Sequence, residues 1–242
     1  MEHVIQELND KLRGFTAQQI LSYFINDYEG KAALGTSLGA EDQVLTDMIA
    51  KIDPRTKIFT LDTGRVFPET YKVLQETNEK YGINVKVYFP NAERVERLVS
   101  QHGINLFYKS VENRKICCQA RKIEPLKRAM KDVDVWITGI RRDQSITRIL
   151  TEVVAYDHIN HKIKINPLLD WSEEDIWDYI KQQQVPYNKL HDRGFPSIGC
   201  EPCTRAIESH EDVRAGRWWW EAPEQKECGL HQKSNGLMTQ ES

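Results

Sequence analysis

The chain has 242 residues, with 33 Lys and Arg against 36 Asp and Glu and a formal net charge of −3. That is enough for one substantial α/β domain with a full core, and the charge balance excludes a global electrostatic bias toward nucleic acid. No run approaches about 20 apolar residues, so no membrane partner is expected.

The start, Met1-Glu2-His3, shows no basic stretch ahead of an apolar one, so the expectation is no export signal and a cytoplasmic location. Five cysteines are an odd count for a disulfide scaffold. They are expected to serve as core residues, metal ligands, reactive thiols or a mixture.

Residues 1–27 read as helical, with Val4, Ile5, Leu8 and Leu12 on one face and Ile20, Leu21, Phe24 and Ile25 on another. A short strand is expected over Lys31–Thr36 and a helix over Asp42–Ile52, ended by Asp53-Pro54. A second strand follows over Lys57–Leu61, a helix over Phe67–Lys80, and a third strand over Asn84–Phe89. Residues 92–102 and 113–131 read as helices, and Asp134–Thr138 as the fourth strand. Val153–Asp157 and Lys162–Ile165 suit a hairpin, and Asp170–Gln184 a helix with Trp171, Ile176, Trp177 and Ile180 as its apolar stripe.

This alternation predicts an α/β fold: a doubly wound, mainly parallel sheet with helices on both faces. Residues 1–188 are expected to form the ligand-binding α/β part, opening with the helices at about 1–27. Periodic patterning fades from Lys189, so residues 189–242 read as a tail of the same domain that carries function or folds over the site.

In such folds ligands bind at the carboxyl ends of the strands. After strand one stands Thr36-Ser37-Leu38-Gly39-Ala40-Glu41-Asp42, a turn that aims backbone N–H groups and a helix N-terminus at an anion, with Ser37, Gly39 and Asp42 as candidate contacts. It lacks the Gly-Lys-Ser/Thr end of a Walker A loop. After strand two stands Leu61-Asp62-Thr63-Gly64, either a plain Asp/Thr helix start or a second wall of the same crevice. After strand four, Arg141, Arg142 and Arg148 fall within one loop, and their forked donors suit phosphate or sulfate oxygens.

The cysteines are Cys117-Cys118, the pair Cys200 and Cys203, and Cys228 in Glu227-Cys228-Gly229-Leu230-His231. Four thiolates suit zinc or an iron–sulfur cluster. Adjacent helical cysteines diverge by about 100°, which is easier for a cubane than for one small ion. A buried thiol pair and a CxxC redox disulfide remain alternatives.

The three loops together resemble the adenine-nucleotide α-hydrolase (PP-loop) superfamily. The strings Leu61-Asp62-Thr63-Gly64-Arg65-Val66-Phe67-Pro68-Glu69-Thr70-Tyr71 and Arg141-Arg142-Asp143-Gln144-Ser145 look like the assimilatory phosphosulfate reductases. The resemblance runs from about Thr36 to His231. It departs at Leu38, where many members carry an aromatic residue.

The resemblance implies reduction of adenosine 5′-phosphosulfate to sulfite and AMP in sulfate assimilation toward cysteine. It implies a [4Fe–4S] cluster on Cys117, Cys118, Cys200 and Cys203, with Lys122 bridging cluster and substrate. Cys228 would be the nucleophile, supported as a thiolate by His231. Thioredoxin, or a glutaredoxin-like dithiol protein, would be the reductant. Oligomeric state and use of the 3′-phosphorylated nucleotide stay open. The alternatives are an ATP-consuming PP-loop adenylating or thiolating enzyme, and a non-enzymatic iron–sulfur nucleotide sensor.

Overall fold

The computed structural model describes residues 1–144, 148 and 150–222. The helical stretch expected at the start divides into α1 (Glu2–Lys11) and α2 (Ala17–Asp27). The break lies where Thr16 opens a new helix: its hydroxyl accepts from the Gln19 N–H, and the Gln19 side chain accepts from the Thr16 N–H.

There follow β1 (Ala32–Thr36), α3 (Ala40–Ile52), β2 (Lys57–Leu61), α4 (Pro68–Tyr81), β3 (Lys86–Tyr88), α5 (Ala92–His102), α6 (Val111–Cys118) and α7 (Glu124–Ala129). The chain then runs through β4 (Val135–Ile137), β5 (Val154–Asp157), β6 (Lys162–Ile165) and α8 (Glu173–Gln182). The last helix starts at Ser172 rather than at Asp170, because Ser172 and Asp175 cap each other reciprocally.

The sheet order is β3-β2-β1-β4-β6-β5. All neighbours are parallel except β5 and β6, the expected hairpin, which forms the antiparallel edge. The chain winds outward from β1 to β3 and then returns to place β4 on the other side of β1. Strand order therefore reverses between β1 and β4, and a crevice opens beyond their carboxyl ends.

Burial on both faces follows from the strand residues. Leu34, Ile58, Val135 and Ile137 pack on one side with α2, α3 and α8. Ala33, Phe59 and Trp136 pack on the other against Leu126, Ala129 and Met130 at α7. Neighbouring strand residues point to opposite faces, so a strand covered on both sides reads as a continuous apolar run.

The helix expected over residues 113–131 is one helical path with a π-helical turn, Gln119–Ile123, between α6 and α7. That turn carries Arg121 and Lys122, and such bulges collect at functional sites.

Residues 189–222 have little regular structure but pack on the domain. Cys200 bridges to Val66 and Thr204 to Arg217 by short antiparallel contacts. Trp218 is fully buried, with the Arg114 guanidinium 4.7 Å from its ring on α6 and that of Arg217 at 4.8 Å. Arg114 also donates to both Glu221 carboxylate oxygens, at 3.0 and 2.7 Å, with both side chains only 2% exposed.

That pair seats the tail on the domain. Removing one of two buried charges strands the other, whereas removing both also removes the desolvation cost. Glu221→Leu is expected to lower unfolding free energy by about 3 kcal/mol in urea titrations. The Arg114→Met, Glu221→Leu double variant is expected to recover much of that loss.

Candidate active site

The crevice at the strand-order reversal has a volume of about 1300 Å³. Its walls include the β1–α3, β2–α4 and β4 loops, the π-helical turn, and the tail. Ser37, Gly39, Asp42, Leu61, Thr63, Lys122, Arg141 and Arg148 all line it. The structure thus brings together most of the nucleotide-contact candidates from four distant parts of the chain.

The β1–α3 loop is held from within. The Ser37 N–H and hydroxyl both donate to Asp42 Oδ2, at 2.6 and 2.7 Å. Leu38 takes φ +61, a left-handed conformation that costs energy in a branched residue, and its N–H donates to the Thr36 hydroxyl. Its side chain is fully buried, so the core anchors the bend and leaves Ser37 exposed at the crevice. Asp42 is therefore the brace of the loop as well as part of its wall.

Gly139, just after β4, lies so close to the start of α3 that a Cβ there would overlap the Asp42 carboxylate. Burial pushes the Asp42 carboxyl up to about 6, opposed by its bonds from Ser37 and Gly139.

The β2–α4 loop divides its roles. Asp62 is buried and braces the loop: Oδ1 accepts from the Gly64 N–H at 2.7 Å and Oδ2 from the Tyr71 hydroxyl at 2.7 Å. Burial and the Asp62 charge push the Tyr71 phenol up to about 12. Asp62 and Gly64 are not on the crevice wall, which Leu61 and Thr63 supply. The Thr63 carbonyl accepts from Arg121 at 2.6 Å, which ties this loop to the π-helical turn.

The arginines part company. Arg141 is buried, and its Nε donates to Glu41 Oε1 at 3.0 Å. The same oxygen accepts from Gln144 Nε2 at 2.8 Å, and Gln144 Oε1 accepts from Arg148. Arg142 turns away from the crevice to Asp170 and the Thr151 carbonyl. Sequence reasoning missed Glu41, Gln144 and Arg121. Glu41 and Gln144 lie inside the quoted motifs, but only the fold shows that they meet.

Cys117, Cys118, Cys200 and Cys203 line a second, small cavity of about 20 Å³, and none is in a disulfide. Cys117 and Cys203 are buried, which pushes both thiols up, Cys203 to about 12. Cys200 Sγ lies 3.2 Å from the Thr63 hydroxyl, on the wall of the main crevice.

The expected [4Fe–4S] cluster, with its iron and metal-binding roles for these four residues, is corrected by this geometry. Among the described residues no group of three or more His, Cys, Asp or Glu is placed to hold a metal ion. The cavity that the four cysteines line has about the room of one water molecule. Cys228 and His231 lie outside the described residues.

The phosphoadenosine phosphosulfate reductase domain model matches residues 31–206. The chain belongs to the phosphosulfate reductase family. It is an oxidoreductase with the adenine-nucleotide α-hydrolase fold of that family.

It is 48% identical over 221 residues to the adenosine 5′-phosphosulfate reductase of Allochromatium vinosum, covering 91% of this chain and 86% of that one. It is 49% identical over 207 residues to that of Burkholderia cepacia, covering 86% and 83%. The solved phosphoadenylyl-sulfate reductase of Candida auris, a phosphate complex, superposes with a TM-score of 0.74 at 28% identity, covering 86% of this chain and 98% of that one. Yeast FAD synthetase, at 15% identity and a TM-score of 0.56, shares the fold alone.

Asp42 gives the family site a pH signature. Below pH 3.8 its carboxyl is protonated in folded and unfolded chain alike, whereas between about 4 and 6 it is protonated only when folded. Its contribution to stability is therefore full at low pH and lost as pH rises through 6, by about 3 kcal/mol in all. Urea midpoints measured from pH 4 to 7 are expected to show this loss in the wild type and not in Asp42→Asn.

Proposed function

We propose that the protein reduces adenosine 5′-phosphosulfate to sulfite and AMP in sulfate assimilation, with Cys228 as nucleophile and a thioredoxin-type dithiol protein as reductant. The observation that carries this reading is the meeting of Ser37, Lys122, Arg141 and Arg148 on one crevice, at the strand-order reversal, where an anionic nucleotide belongs. The adenosine 5′-phosphosulfate reductases among its relatives support the choice of nucleotide.

In this reading the loops after β1 and β2, through Ser37, Gly39, Leu61 and Thr63, receive the nucleotide. Asp42, Asp62 and Gly64 keep those loops in shape. Arg141, Arg148 and Lys122 neutralise the phosphosulfate, and Arg142 supports the same loop from outside through Asp170.

The Cys228 thiolate attacks the sulfur, and the bond from sulfur to the phosphate oxygen breaks. AMP leaves with that electron pair, and Cys228 carries an S-sulfo group. His231, three residues on, favours the thiolate form. A thiolate of the reductant then attacks the Cys228 sulfur, and sulfite leaves with the bonding pair. The second thiol of the reductant closes its disulfide and releases the Cys228 thiolate.

Intact-protein mass spectrometry tests the covalent step. Protein mixed with adenosine 5′-phosphosulfate and no reductant is expected to gain one sulfite group. The gain is expected to be absent in Cys228→Ser and lost on adding reduced thioredoxin. AMP release without an adduct would remove Cys228 from the nucleophile's role.

Lys122→Met is expected to lower kcat/KM by about 100-fold, measured as sulfite release, because a cation on the crevice wall opposes charge building on the leaving phosphate. A change of less than about threefold would place Lys122 outside the reaction.

A further inference from the structure

An acidic side chain in an anion site calls for an explanation. Glu41 lies in the first turn of α3, on the wall that also presents Arg141 and Arg148. Its Oε1 accepts from Arg141 Nε at 3.0 Å and from Gln144 Nε2 at 2.8 Å. Gln144 Oε1 in turn accepts from the Arg141 N–H at 3.3 Å and from Arg148.

One carboxylate oxygen from across the strand-order reversal thus anchors the arginine loop. Asp175, at the start of α8, also feels the Arg141 charge. The Arg141–Glu41 pair is largely withdrawn from water, with side chains 6% and 18% exposed. At such burial a carboxylate is a strong competitor for any incoming anion.

We propose that Glu41 is a specificity-determining counter-anion: it occupies Arg141 and, through Gln144, steadies Arg148, so that free sulfate and phosphate are rejected and only an anion carried on a nucleotide is accepted. This rests on the phosphosulfate reading above. A free oxyanion must compete with Glu41 using its own charge alone. A nucleotide brings further contacts, to the loops after β1 and β2, that offset the same cost. Rejection of the wrong ligand by a like charge is a common route to specificity.

A scaffolding role alone and a counter-anion role predict opposite signs in one measurement. Glu41→Gln keeps the acceptor oxygen for Arg141 and Gln144 but removes the charge. Calorimetric titration of the full chain with sodium sulfate, at ionic strength held constant with chloride, is expected to show about tenfold tighter sulfate binding in Glu41→Gln than in the wild type. Glu41→Asp, which keeps the charge, is expected to stay near the wild type.

Unchanged or weaker sulfate binding in Glu41→Gln would overturn the proposal. Should Glu41→Gln fail to fold, the wild type decides: sulfate binding less than about 100-fold weaker than that of AMP would overturn the proposal, and weaker binding than that would uphold it. The sulfate arm needs no turnover. A wild type that makes no sulfite from adenosine 5′-phosphosulfate would instead overturn the proposed function, and the two failures are read separately.

Discussion

Two neighbouring carboxylates at the start of α3 hold the loops of this site in place. Asp42 reaches back to fix the bend after β1 through Ser37, and Gly139 packs directly on it from the strand beyond the reversal. Glu41 reaches forward to Arg141 and Gln144. The parallel pairing of β1 with both β2 and β4 leaves a gap at the carboxyl ends, and these two side chains span it. Without them the arginine loop would lose its side-chain ties to the turn after β1, though Arg142 would still hold it to Asp170 and the Thr151 carbonyl.

The same logic separates residues that touch the crevice from residues that shape it. Asp62 and Asp42 are both acidic residues in short loops, and both spend their oxygens on nearby N–H or O–H groups. Arg142 and Arg141 are adjacent, yet one turns to Asp170 outside and the other to Glu41 on the crevice wall. Tail and domain are joined by Trp218 and the Arg114–Glu221 pair, and the tail places Cys200, Arg214 and Arg217 on the crevice wall. Lys122 reaches the crevice wall from a π-helical turn, where the extra residue per turn changes the direction of side chains that follow Cys118.

The four clustered cysteines show where motif and geometry part. Their spacing suggests a shared four-thiolate centre, but spacing constrains only distance along the chain. A cavity of about 20 Å³ and the lack of a metal-holding group among the described residues are properties of packing.

Much of the architecture was legible in the sequence because it depends on local rules. Alternating strands and amphipathic helices, the hairpin at 153–165 and the turn at 36–42 follow from periodicity and turn chemistry acting over a few residues. Element ends were less legible. Thr16 and Ser172 start helices through reciprocal caps that a hydrophobic stripe does not reveal.

The sequence by itself determined the alternation of elements and the family motifs, and eight of its eleven nucleotide-contact candidates line the crevice. Tertiary structure alone decided that Glu41 meets Arg141 across 100 positions, that Arg121 holds the Thr63 carbonyl, and that Arg142 faces away. The physical reason is that a side chain's partner is set by which strand lies beside which. That order comes from burying both faces of one sheet at once, a property of the whole chain rather than of any segment.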